Sequence, residues 1–282
     1  MKIKLFDQRI ILGSLLILSL SCSPKLSQRT VYFPKQVTHV DKLPPQDNLW
    51  VFMLAGQSNM AGRGLVESQD TISHERILTI SQENEWILAK EPLHPYEPNL
   101  TGLDCGLAFG KELIKHLPDS ISIALIPCAV GGSAIQQWLG DSTFRGVQLM
   151  HNFQEKAAFA KQYGRIKGVL WHQGESNATA ERIPLYAAQL EKLLTTFRDH
   201  LEDENLPILI GELGSFAIPK EKSAQWDSIN QVIHQVAASD PHVGVVQTDD
   251  LEHKGDHVHF NSASQRILGR RFAEKYMETS GQ

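Results

Sequence analysis

The chain has 282 residues, of which 41% are hydrophobic and 21% charged, with a net charge of −5 and a pI near 6.2. This composition suits a globular chain and argues against disorder along its length. No long basic run occurs, which argues against nucleic acid as a partner. The length predicts one α/β domain with a sizeable core.

Residues 1–22 read as a signal peptide. Lys2, Lys4 and Arg9 precede an apolar stretch over 10–20 that is too short to span a bilayer comfortably. Ser19-Leu20-Ser21-Cys22 resembles a bacterial lipoprotein cleavage site: a small residue stands at Ser21, but Ser19 occupies a position that is usually aliphatic. Acylation of Cys22 would anchor the chain by lipid, its expected contact with a membrane, and implies an exported protein of a bacterial cell envelope. Ordinary secretion after cleavage nearby is the alternative, leaving the protein periplasmic or secreted. Residues 23–48 are polar and contain Pro24, Pro34, Pro44 and Pro45, which predicts a tether ahead of a domain over 49–282.

That domain opens with an apolar run over 49–55 of strand length, broken at Gly56 and followed at once by Gln57-Ser58-Asn59-Met60. A serine just past a strand end stands where open α/β sheets place their ligands. Taken in isolation, Ser58 reads more readily as a helix cap, and the blocks further along the chain reverse that reading. From 65 to 101 the pattern is weak. It contains a short strand over 76–80 and a Pro-rich loop over 91–98 carrying His94 and Tyr96, which either shapes a binding site or lies idle.

A helix is predicted over 106–116, then a strand over 121–127 that ends in the Ala129-Val130-Gly131-Gly132 turn. A helix over 146–163 leads to a buried strand over 166–171, which delivers His172-Gln173-Gly174-Glu175. Tyr186, Leu190, Leu193, Leu194 and Phe197 form one helical face. A strand over 207–213, a helix marked by Trp226, Ile229, Val232, Ile233 and Val236, and a strand over 243–247 follow. Asn261 and Ser262, with Gln265 three residues after Ser262, read as a capping box for a last helix through Tyr276. Strands alternating with helices predict a mainly parallel central sheet in a three-layer α/β/α sandwich.

Asp256-His257-Val258-His259-Phe260 offers an acid and a base three residues apart, the partners that activate a serine hydroxyl. Four blocks in order, GQSNMAGRG (56–64), IPCAVGGSAIQQW (126–138), GVLWHQGESNA (168–178) and DHVHF (256–260), together resemble the SGNH hydrolases. Within them they resemble the carbohydrate-esterase branch, with its acetylxylan esterases and sialate O-acetylesterase domains. The resemblance implies an SGNH, flavodoxin-like fold, no cofactor and no metal. It implies a serine esterase removing acetyl groups from a carbohydrate: acetylated xylan, sialic acid or another glycan.

In that reading Ser58 is the nucleophile, His259 the base and Asp256 the acid that orients it. The oxyanion hole is expected from the backbone N–H groups of Ser58 and Gly132 and the side-chain amide of Gln173. Gln173 stands where the wider superfamily supplies an asparagine. Glu175 either braces the Gln173 loop or is an alternative acid for His259. Trp138 either stacks on a sugar or fills the core. His257 is expected to be a bystander, His172 a packed histidine, and Asn59 a residue holding the turn after the nucleophile. Cys105 and Cys128 are expected as two buried free thiols rather than a disulfide, and without a C-x-x-C pair a zinc site has little support. Two rival readings are a glycan-binding lipoprotein without catalysis and an esterase or thioesterase acting on a non-sugar acyl ester.

Overall fold

The computed structural model describes residues 28–281, so the signal-peptide and Cys22 readings lie outside the described residues. The central strand is β1 (Leu49–Gly56). Val51, Met53 and Ala55 belong to one core, and Phe52 and Leu54 to the other, as the two-residue period of a strand requires. A strand covered on both faces needs apolar side chains at every position, which is why 49–55 reads as an unbroken run.

Six further strands join it: β2 (Ile77–Ile80), β3 (Trp86–Leu88), β4 (Ser122–Pro127), β7 (Arg165–His172), β8 (Ile208–Gly211) and β9 (Val243–Val246). A small hairpin of β5 (Thr143–Phe144) and β6 (Val147–Gln148) stands apart from the sheet. The sheet order is β3-β2-β4-β1-β7-β8-β9, and only β3 runs antiparallel.

The helices are α1 (Ser58–Ala61), α2 (Gly106–Leu113), α3 (Ile135–Leu139), α4 (Leu149–Lys161), α5 (Ile183–Leu201), α6 (Lys220–Ala238) and α7 (Ser262–Ser280). Leu107 and Phe109 of α2 and Leu268 and Phe272 of α7 fill the core on one face. Phe153 of α4, Leu190 of α5 and Ile229 of α6 fill the other. The three predicted layers are therefore present.

The direction of winding reverses at β1. The chain builds β2 and β4 on one side, then crosses to β7, β8 and β9 on the other. Such a reversal opens a crevice at the strand C-termini. The register pairs Leu54 with Pro127 and Gly56 with His172. The segments that follow β1, β4 and β7 thus leave the sheet side by side.

Three local expectations change. β3 was not foreseen: it is short and sits at an edge, where it pairs with β2. The helix expected from 146 starts at Leu149, because the hairpin turn, with Gly146 at φ 80°, uses the residues before it. The cap of α7 is Asn261, whose side chain accepts from the Ser264 N–H at 2.8 Å. Asn261 thus caps as expected, while Ser262 and Gln265 form no capping box and do other work. Ser262 Oγ donates to the Leu65 carbonyl at 2.7 Å and Gln265 Nε2 to the Asn59 carbonyl at 2.9 Å, tying α7 to the nucleophile segment.

Cys105 and Cys128 are free and buried. They belong to the cores on opposite faces of the sheet, so no disulfide can join them. Burial pushes the Cys128 thiol up to about 12 and the Cys105 thiol up as well. Within the described part of the segment expected as a tether, 28–48, residues 38–40 run along β3. The Val40 N–H donates to the Trp86 carbonyl and the Leu88 N–H to the Thr38 carbonyl, both at 2.9 Å, and Val40 and Leu43 pack on the core. Among the described residues no helix is long and apolar enough to cross a membrane.

Candidate active site

Ser58 begins α1 directly beyond the end of β1. His259 and Asp256 lie on the loop before α7, a loop closed on itself by the bridge between His253 and Phe260 and by the Lys254 N–H donating to the His259 carbonyl at 2.9 Å. The predicted catalytic residues meet. His259 Nδ1 lies 2.7 Å from Asp256 Oδ2, and its Nε2 lies 3.0 Å from Ser58 Oγ. With the proton held on Nδ1 by Asp256, Nε2 is the acceptor for the serine hydroxyl.

Burial opposes ionisation of Asp256. The backbone N–H of His259, its ring and the Val258 N–H outweigh that effect and bring the carboxyl down to about 2. Burial lowers His259, against the pull of Asp256 and with help from Lys254 and Arg63. The base is therefore neutral and ready at neutral pH.

Gly131 and Gly132 follow β4 and line one cavity with Ser58. A Cβ at Gly131 would press on the buried Arg63–Glu97 pair, meeting Arg63 Nη2 at 1.9 Å, and Gly132 holds φ at +82°, which favours glycine. The Gly132 N–H finds no protein acceptor among the described residues, as an oxyanion donor requires. The loop is braced from behind by Glu97, which accepts from the Gly131 N–H at 2.6 Å and from Arg63 at 2.7 Å, and pairs with Arg145. The carboxyl of Glu97 stays low: burial would raise it, but Arg63, the Gly131 N–H and Arg145 prevail. Glu97 was not foreseen, since it sits in the patternless stretch before β4; its only sequence signal was the Pro-rich loop that holds it.

Gln173 is not placed as an oxyanion donor. Its side chain is buried, and Nε2 donates to Asn177 Oδ1 at 2.7 Å, Gln57 Oε1 at 3.2 Å and the Ser133 carbonyl at 3.3 Å. Those bonds leave the amide no hydrogen to give a substrate. Gln173 instead locks the segments after β1, β4 and β7 together. Gln57 lines the cavity. Its Oε1 accepts from Gln173 and from the Ser176 N–H, so its own amide nitrogen is the free end.

Asn59 does more than hold a turn. Its Nδ2 donates to Glu175 Oε1 at 2.7 Å and to the Val258 carbonyl at 3.2 Å, while Oδ1 accepts from the Phe260 N–H at 3.1 Å. One amide thereby grips the backbone on both sides of His259 from the residue next to Ser58. Glu175 makes no hydrogen bond to His259 and sits behind Asn59. Burial raises its carboxyl to about 7, against hydrogen bonds that include the one from Asn59, and its Oε2 has no hydrogen-bond partner among the described residues.

His172 is packed, as expected: burial lowers it to about 4, and its Nε2 donates to the Glu212 carbonyl at 2.9 Å. His257 is a bystander, lying against His253 with ring centroids 4.0 Å apart. Trp138 is not a substrate contact. It is fully buried, stands edge-on to Trp171 and donates Nε1 to Ser133 Oγ at 2.9 Å.

Ser58, His259 and Gly132 line a cavity of about 430 Å³ with Gln57, Glu175 and Ser176. A larger hollow of about 640 Å³ lies beside β9 at His234 and Arg271, without a nucleophile and base in register. Among the described residues no group of three or more His, Cys, Asp or Glu side chains could hold a metal ion.

The arrangement suits acyl transfer, and its likenesses agree. The family described as carbohydrate esterase, sialic acid-specific acetylesterase, matches residues 48–278. The probable carbohydrate esterase At4g34215 of Arabidopsis thaliana is 30% identical over 254 residues, covering 83% of this chain and 92% of its own. The crystal structure of that Arabidopsis thaliana protein superposes with a TM-score of 0.72 at 28% identity, over 83% of this chain and 99% of that one. NanS shares the fold at a TM-score of 0.67 and 17% identity, over 84% of this chain and 98% of that one.

Proposed function

Because the chain belongs to the family of carbohydrate esterases described as sialic acid-specific acetylesterases, we propose that it removes O-acetyl groups from a carbohydrate through an acyl-enzyme on Ser58. The observation that carries the mechanism is the relay from Asp256 Oδ2 through His259 to Ser58 Oγ, at 2.7 and 3.0 Å, beside the unpaired Gly132 N–H. Ser58 Oγ attacks the acetyl carbonyl while His259 Nε2 takes its proton. Asp256 holds the ring and stabilises its cation. The oxyanion forms against the Ser58 and Gly132 N–H groups, and the Gln57 amide takes the third place that Gln173 leaves open. His259 returns the proton to the departing sugar hydroxyl. Water, deprotonated by the same imidazole, then releases acetate and restores Ser58.

A glycan-binding protein without catalysis would have no need of a base aligned on a serine, so the complete relay favours the enzyme. Ser58→Ala is expected to abolish acetate release from acetylated glycans while leaving the circular-dichroism spectrum unchanged. Retention of a tenth of wild-type turnover would overturn the serine mechanism.

A further inference from the structure

We propose that Arg29 is a specificity-determining residue that binds the carboxylate of an acidic sugar in the ester substrate. This rests on the deacetylation reading above and narrows its substrate class. Arg29 precedes the family-matched region, which begins at residue 48, yet its side chain lines the same cavity as Ser58 and His259. It is carried by a 3-10 turn over Gln28–Thr30. The guanidinium donates to the carbonyls of Thr101 and Pro98, the latter at 3.0 Å, and its carbon lies 5.1 Å from the centre of the Phe33 ring. Carbonyls and a ring face orient a guanidinium and leave its charge uncancelled.

The charge around Ser58 is unequal. Arg29, Arg63, Arg145 and Lys254 all line the cavity. Arg63 and Arg145 share one carboxylate, that of Glu97. Lys254 has Asp256 at 3.7 Å, but that carboxylate already holds His259. Among the described residues no carboxylate pairs with Arg29. A neutral acetylated sugar can accept hydrogen bonds from these groups but brings no charge to balance the surplus. A sugar acid supplies a planar carboxylate, the group a guanidinium fork matches. Two kinds of sugar, a nonulosonic and a uronic acid, carry that chemistry.

The test uses the full chain and matched pairs: O-acetylated N-acetylneuraminic acid and O-acetylated glucuronic acid, each as free acid and as the uncharged carboxamide. Acetate release gives kcat and KM, and titration calorimetry measures binding of the two deacetylated acids. Wild type is expected to favour at least one free acid over its carboxamide by roughly tenfold in kcat/KM, the lower range for a hydrogen bond to a charged group. Arg29→Gln is expected to erase that preference through KM and to weaken binding of the same acid. Arg29→Lys, which keeps the charge without the fork, should retain part of it. An equal loss on acid and carboxamide would reduce Arg29 to a brace for the 98–101 loop and overturn the proposal, as would an unchanged preference. Arg29-dependent binding of a sugar acid without acetate release would leave the anion site standing and sink the esterase reading instead.

Discussion

At Asp256, replacement by Asn keeps the shape of the side chain but changes which imidazole nitrogen carries the proton. The Asn amide favours the tautomer with Nε2 protonated, which cannot accept from Ser58. Asp256→Asn should therefore cost about 10⁴ in turnover, as a like change does in a serine-protease triad. Glu175→Gln should cost less, no more than the roughly 10²–10³ of one oxyanion donor, because Glu175 reaches His259 only through Asn59. Turnover on one acetyl ester at saturating substrate compares the two, and a larger loss in Glu175→Gln would transfer the acid role to it. The pH profile follows from His259. Catalysis needs its neutral form, which is present above its pKa and lost as pH falls. Burial lowers that pKa, so the acid limb of kcat/KM should have its midpoint below the ordinary histidine value of about 6.5. A midpoint above that value would contradict this account of the base. The residues of the relay were legible although Ser58 lies 201 residues from His259, because D-x-x-H sets acid and base three positions apart and four ordered blocks resemble a known family. Glu97 and the reach of Asn59 were not, since their partners lie 34 and up to 201 residues away and no short-range pattern encodes them. Gln173 was misassigned for the same reason: its position in the loop was readable, but the three acceptors that occupy its amide were not.

Among the elements, the long helices and the buried strands were legible from their periods, and the ends of β1, β4 and β7, where the sequence places three of the blocks, lie side by side. The small pieces escaped. β3, α3 and the β5–β6 hairpin are too short to show a period, and each is held by tertiary contacts. The start of α2 has a device of its own. Asp104 Oδ1 accepts from the Gly106 N–H at 2.6 Å, while Glu91 accepts from the N–H groups of Leu107 and Asp104, both at 3.3 Å. Glu91 is wholly buried, and burial followed by the nearby Asp104 charge raises its carboxyl well above the usual range. An acid raised in the folded state must take up a proton to fold once pH exceeds its unfolded value, so its contribution to stability falls as pH rises toward the folded pKa. Glu91→Gln has no proton to gain. Its melting temperature relative to wild type should therefore improve between pH 5 and pH 8, and melts at the two values check it; a relative decline would show that Glu91 is ionised in the fold.

For the whole molecule, the sheet, its two cores and the free thiols agree with what the sequence predicts, and the segment 28–48, which composition alone read as a spacer, adds a flank to β3 through residues 38–40. Its prolines and polar residues describe a chain without a core of its own, and they do not reveal that Val40 and Leu43 borrow one. Cys22 lies ahead of all this, and its acylation is a proposal from the sequence. Cys22→Ser should move the protein from the membrane fraction to the soluble fraction after a high-salt wash, and continued sedimentation with membranes would refute a lipid anchor. The distance along the chain between Ser58 and His259, 201 residues, has a consequence for the life of the protein before it is finished. A ribosome that has made the nucleophile, the oxyanion turn and most of the sheet still has no base to offer. Hydrolysis begins only when the last loop has been synthesised and α7 has docked behind it. On the proposed mechanism a nascent or prematurely ended chain lacks the base that activates Ser58, and in a refolding experiment full acetate release reports docking of the last loop.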